Sequence, residues 1–190
     1  MSRTFISIDP GLRNTALVWG IIENGVLVPH YWDYVGTKSL KGEKTGFGAV
    51  RRARMINKKI AQYTRGFDIA FGEVPNGSQS AAAMKGLGIS AYLLATINIP
   101  MVEVSPMDVK KVINPRAGKA KFKGSKERVE VSKEDVMEYC YKKYPNFPYE
   151  RKKKTGAVVL ARMEHVCDAI VIAEAGMKKE NYKVIISQLN

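Results

Sequence analysis

The chain has 190 residues, 45% of them apolar, with 31 Lys+Arg against 18 Asp+Glu and a net charge of +13. That length and apolar content suit one domain over residues 1–190 with its own buried core, which excludes a disordered or disulfide-stapled chain. The basic excess points to a polyanionic partner, nucleic acid or an acidic membrane surface, but the longest uncharged run (residues 86–102) has only 17 residues and is interrupted by Ser, Asn, Thr and Pro, whereas a spanning helix needs about 20 mostly apolar ones.

Residues 4–9 (TFISID) read as a short buried strand ending at a Pro-Gly turn. Residues 15–22 and 26–35 are apolar, β-branched or aromatic, and Glu23-Asn24-Gly25 separates them. Asn-Gly between two such runs is a strong hairpin signal, so the first three strands are expected to form an antiparallel meander. A polar loop over 36–48 leads to Ala49, Ala53, Ile56 and Ile60, which recur at helical spacing over residues 49–64. Residues 68–73 (DIAFGE) read as a fourth strand, 78–96 as a helix rich in small residues, and 99–104 as a fifth strand. Small side chains on that helix would let the sheet or a partner subunit approach closely. Ser105-Pro106-Met107-Asp108 supplies a helix cap, a proline at the first helical position and an acid three residues after the cap. Ser132-Lys133-Glu134-Asp135 opens another helix in the same way, and residues 159–177 form the last long one. Three antiparallel strands followed by strand–helix units predict an α/β fold with a mixed five-stranded sheet flanked by helices.

The charge is unevenly spread. Residues 110–154 carry 15 basic and six acidic side chains, whereas residues 155–190 carry four of each. Within that stretch, residues 114–131 lack apolar periodicity and read as a basic loop or arm bearing Lys119, Lys121, Lys123, Lys126 and Arg128 around Phe122. A second cluster, Arg151-Lys152-Lys153-Lys154, follows Pro145 and Pro148. A charge run is usually a solvated face. Two clusters in so basic a chain favour a grip on a phosphate backbone, and loops longer than about 12–15 residues are often functional. Cys140 and Cys167 show no disulfide or zinc spacing, and Ile6-Ser7-Ile8 runs straight into Asp9 with no leader pattern. A reducing, cytoplasmic compartment is therefore expected.

Three acids stand where solvated residues are not expected. Asp9 ends the first strand after Ile6 and Ile8, Glu73 ends the fourth after Ile69 and Phe71, and Asp168 precedes the apolar run Ala169-Ile170-Val171-Ile172. His165 lies three residues before Asp168, on the same helical face, and Glu164 is a further neighbour. Each has a plain reading: Asp-Pro-Gly is a common turn, Glu73 can mark a strand end, and a lone His is more often structural than a ligand. A carboxylate in an apolar helix, however, costs several kcal/mol unless a cation neutralises it. If the strand ends are neighbours and the helix crosses them, the acids gather at one point and call for a divalent ion. In a chain that grips phosphates, such a site suits phosphodiester hydrolysis, with two metals about 4 Å apart activating water and stabilising the leaving oxygen.

Ile8-Asp9-Pro10-Gly11 with Thr15, then Glu73, then Ser105-Pro106 with Val109-Lys110, and finally His165-x-x-Asp168-Ala169 resemble the RuvC-type Holliday-junction resolvases, which are ribonuclease-H-like endonucleases. The likeness runs in order from about residue 4 to 176. It implies a homodimeric junction endonuclease in a bacterial or phage-infected cell, with Asp9, Glu73 and Asp168 as metal-binding carboxylates. It further implies that His165 assists the metal or the water, and that Lys110 and Lys133 hold DNA near the site. The basic clusters add Lys119, Lys121, Lys123, Lys126, Arg151, Lys152 and Lys153 to the expected DNA contacts. Mg²⁺ or Mn²⁺ is the expected cofactor, the imidazole giving Mn²⁺ a place in an otherwise all-oxygen set. No nucleotide cofactor is expected. The usual aromatic after the second acid is missing, since Val74-Pro75-Asn76-Gly77 follows Glu73. Asp9-x-Gly11-x-x-x-Thr15 also matches the phosphate turn of actin-like kinases, but one chain of this length cannot supply their two lobes. A non-catalytic binder of branched nucleic acid on the same scaffold is the alternative.

Overall fold

In the computed structural model, which describes residues 2–75, 77, 80–123 and 125–189, the elements run β1 (Ser2–Asp9), β2 (Asn14–Glu23), β3 (Val26–Gly36), α1 (Thr45–Tyr63), β4 (Ile69–Glu73), α2 (Ala81–Ala95), β5 (Met101–Val104), α3 (Pro106–Ile113), α4 (Lys133–Lys143), α5 (Leu160–Met177) and α6 (Glu180–Gln188). The sheet order is β3-β2-β1-β4-β5. Strands β1, β2 and β3 form the antiparallel meander, and β4 and β5 continue the sheet parallel to β1. This is the expected mixed α/β architecture.

Period-two alternation divides the sheet into two faces. Ile6, Ile8, Leu17 and Ala70 pack against Ile56 and Ile60 of α1 and Leu93 and Leu94 of α2. Phe5, Ala16, Val18, Ile69 and Phe71 face the other way, onto α5. Helix α5 packs against all five strands, and residues 169–176 on it are all buried. That enclosure suits the apolar run from Ala169 to Ala173, since a buried helix segment needs no polar face. The contact is closest at Gly176, where an added Cβ would come within 2.2 Å of the Phe71 ring.

Local signals land where the residues placed them. Asn24 and Gly25 take positive φ angles of 50° and 76° at the β2–β3 turn, the conformation a two-residue hairpin requires. Ser105 with Asp108, and Ser132 with Asp135, each form a reciprocal capping box. Three features differ from expectation. Helix α1 begins four residues earlier than its apolar spacing indicates. The helix expected from Ser78 is observed over Ala81–Ala95, and Ser78 lies outside the described residues. Helix α6 has no counterpart among the expected elements, although Tyr182, Ile185 and Ile186 press against the α5-side core.

The basic segments also have more order than bare charge runs. Gly118 N–H donates to Val129, Val129 N–H to Lys119 and Lys121 N–H to Glu127, so that residues 118–121 lie antiparallel to residues 127–129. Residues 151–158 form a second such loop, closed by Lys152 N–H to the Ala157 carbonyl. Among the described residues no helix is long and apolar enough to cross a membrane.

Candidate active site

Ile8 pairs with Gly72 in the parallel β1–β4 ladder, so the next residues, Asp9 and Glu73, end their strands side by side. Both fall on the α5 side by alternation with Phe5 and Ser7 on β1 and with Ile69 and Phe71 on β4. Helix α5 then brings His165 and Asp168 over these strand ends. His165 Nδ1 lies 2.8 Å from Asp9 Oδ2, and one ligating atom each from Asp9, His165 and Asp168 fall within 4.8 Å of one another. All three are residues that the sequence singles out. Glu73 stands just outside this triad but within its field.

The electrostatics show how closely the acids crowd. The Glu73 carboxyl is pushed up to about 7 by burial first, then by the charges of Asp9 and Asp168, with Lys110 pulling the other way. Asp168 is pushed up to about 7 as well, by burial and then Asp9, against His165 and Lys133. The His165 imidazole is raised by its hydrogen bond to Asp9, which outweighs its burial. A cation bound beside two carboxyls pushed up in this way would favour their charged forms and offset the repulsion between them. Oxygen donors from Asp9, Asp168 and Glu73, with one imidazole nitrogen, suit Mg²⁺ or Mn²⁺.

Around this centre lie the two lysines that the resemblance singled out. Lys110 on α3 is close enough to act on Glu73. Lys133 at the start of α4 pairs with Glu164 at 2.7 Å and senses Asp168 and Asp9. Glu164 in turn lies 3.5 Å from His165 Nε2. The remaining basic residues belong to the two folded-back loops. Lys119, Lys121, Lys123 and Lys126 lie on the first, where Lys121 pairs with Glu127 at 2.7 Å; Arg151, Lys152 and Lys153 lie on the second, which leads directly into α5. Arg162 on the first turn of α5 reaches back to Glu150 at 3.1 Å.

Two residues of the site escape a reading of the sequence. Asn14, the first residue of β2, places its amide nitrogen 3.1 Å from His165 Nε2. Tyr34 on β3 donates its hydroxyl to Asn14 Oδ1 at 2.6 Å. A signal existed for Asn14, an amide opening the strand antiparallel to the one that ends in Asp9; nothing distinguishes Tyr34 among the nine tyrosines. Thr15, which belongs to the family-like pattern, acts on the backbone: its hydroxyl donates to the Gly11 carbonyl at 2.8 Å and closes the turn after Asp9.

No protein-family model matches the chain, and no curated protein does. Solved structures do. Thermus thermophilus RuvC in complex with its Holliday junction substrate aligns over 91% of this chain and 92% of that one, with a TM-score of 0.61 and 15% identity. The chain has the RuvC fold. A second Thermus thermophilus RuvC structure aligns over 96% of both chains at a TM-score of 0.55 and 16% identity. The ribonuclease-H-like architecture expected from the ordered motifs is therefore present over nearly the whole length, at an identity where sequence alone carries little of the likeness.

Proposed function

We propose that this chain is a divalent-metal-dependent endonuclease that cuts branched DNA, four-way junctions above all, and acts as a homodimer. The observation that carries the reading is the convergence of Asp9, His165 and Asp168, with Glu73 beside them, at the carboxyl ends of two adjacent parallel strands. Fold likeness to RuvC is the second support.

Asp9, Glu73 and Asp168, with His165, would hold one or two Mg²⁺ or Mn²⁺ ions. A divalent ion bound there supplies Lewis-acid polarisation of the scissile phosphate and a water of lowered pKa. The remaining work falls to the chain. His165 holds a proton at Nδ1 against Asp9 and can exchange it within the site. Lys110 and Lys133 offset the negative charge of the acids, so a phosphodiester can approach. The loops at 118–129 and 151–158 would track the flanking backbone. A dimer is supported by the apolar side chains left uncovered on the outer helix pair, Phe47, Val50 and Met55 on α1 and Met84 and Tyr92 on α2.

The test is cleavage of four-way, flap and linear duplex DNA with Mg²⁺, Mn²⁺ or EDTA. Wild type is expected to nick junctions only with a divalent ion. Asp9→Asn should lose at least about 100-fold in rate, the scale set by losing one preorganised charged group at a reacting centre, while binding junctions as tightly or more so. Cutting that survives EDTA, or normal cutting by Asp9→Asn, overturns the assignment. Tight junction binding with no product under any metal leaves a non-catalytic binder instead.

A further inference from the structure

The imidazole of His165 is hydrogen-bonded at both nitrogens, and the two partners are of opposite kinds. Nδ1 meets the carboxylate Oδ2 of Asp9 at 2.8 Å, and a carboxylate only accepts. Nε2 meets the side-chain amide of Asn14 at 3.1 Å. Which end of that amide faces the ring is decided one step further out. Tyr34 Oη approaches the other end at 2.6 Å, a length typical of O–H···O and short for a contact involving nitrogen. The amide oxygen therefore faces Tyr34 and accepts its proton, and the amide NH₂ faces His165 and donates to Nε2. A ring nitrogen that accepts carries no proton, so the neutral ring's single proton sits on Nδ1.

Tyr34 is itself held. Its ring lies 6.2 Å from the His165 ring at an interplanar angle of 36°, and the Arg162 guanidinium stands over it at 5.8 Å. We propose that Asn14 and Tyr34 are positioning residues that lock the His165 imidazole, in both orientation and tautomer, with its proton delivered to Asp9. The lock has a competitor to exclude: Glu164 Oε1 is 3.5 Å from Nε2 and would attract a proton there if the amide donor were absent. Outer partners of this kind fix the orientation and tautomer of an active-site histidine. The significance for catalysis rests on the nuclease reading above; the tautomer itself does not.

The experiment reads the ring nitrogens directly, by long-range ¹H–¹⁵N NMR on the full chain in EDTA, at a pH high enough for a neutral ring. A His30→Gln background leaves one histidine to assign. The expected wild-type spectrum has a protonated-type shift at Nδ1 and an unprotonated-type shift at Nε2. Tyr34→Phe frees the amide to turn over and should move the two shifts towards each other, as both tautomers become populated. Asn14→Leu removes the donor and should move them at least as far. A wild-type proton on Nε2 overturns the proposal, as do wild-type shifts in Tyr34→Phe with the circular dichroism of a folded chain. Should Asn14→Leu fail to fold, wild type and Tyr34→Phe decide the matter. No metal, DNA or turnover enters the measurement, so its failure is distinct from failure of the nuclease assignment.

Discussion

Asp168 sits where a helix should carry an apolar residue, and its carboxyl is pushed up to about 7 by burial and by Asp9. The ordinary value in an unfolded chain is 3.8, so the metal-free fold takes up a proton between about pH 4 and pH 7. Above that window the folded chain bears a charge that it disfavours, and stability falls as pH climbs through it. The full shift would be worth about 1.4 kcal/mol per pKa unit; solvent reaching the half-buried site reduces this to about 2 kcal/mol in all. In EDTA at pH 8, Asp168→Asn should therefore melt roughly 4–8 °C above wild type, taking 2–4 °C per kcal/mol for a chain of this size. At pH 4 the difference should vanish. Adding Mn²⁺ should raise the wild-type melting temperature by more than that of the variant, which lacks one of the carboxylates that would hold the ion. Thermal melts at the two pH values check this; a variant that melts lower at pH 8 would show that the carboxyl is under no strain.

At the scale of elements, α5 combines close packing at one end with the site at the other. Gly176→Ala would add about 1 kcal/mol of intrinsic helix preference, but its Cβ would meet the fully buried Phe71 ring at 2.2 Å. Overpacking of that kind costs about 1–3 kcal/mol, so the substitution should be destabilising in urea titration, against its helix propensity. Between those ends, Glu174 accepts from Tyr139, Tyr144 and Lys143, each at 2.6 Å. Glu174→Ala takes the acceptor from two half-buried hydroxyls, while the exposed Lys143 keeps solvent and Tyr139 as partners, and should lower stability by about 2 kcal/mol, a loss readable in the same titration. These elements also mark how far the sequence was legible. Hairpin and capping boxes could be read because Asn24-Gly25, Ser105–Asp108 and Ser132–Asp135 act within four residues of one another. Asp9, Glu73, His165 and Asp168 could be read because each is a polar residue closing or interrupting an apolar run. The Asn14–Tyr34 pair could not, because its meaning lies in a contact across two strands and a helix. Helix α6 was obscured by its short length and mixed composition, its burial supplied only by the core surface beneath it.

For the whole molecule, the net charge of +13 meets a site that is locally acidic, and the two are spatially sorted. Carboxylates occupy the strand ends, Lys110 and Lys133 stand beside them, and the loops at 118–129 and 151–158 carry further cations outward. Lys121 is tied to Glu127, but both side chains are exposed and such a pair is worth only about 0–1 kcal/mol, little enough for a DNA phosphate to displace it. Each phosphate contact releases counterions and contributes about 0.9 to the slope of log affinity against log salt. Replacing Lys119, Lys121 and Lys123 with Ala should accordingly flatten that slope by up to about 2.7 for a four-way junction between roughly 50 and 200 mM salt. The same change at Lys152, Lys153 and Lys154 should produce its own flattening, and the two should add if the loops grip separate stretches of backbone. Fluorescence anisotropy with labelled junctions measures both slopes. A slope unmoved by the first triple replacement would mean that the loop bearing these lysines makes no contact with the phosphate backbone.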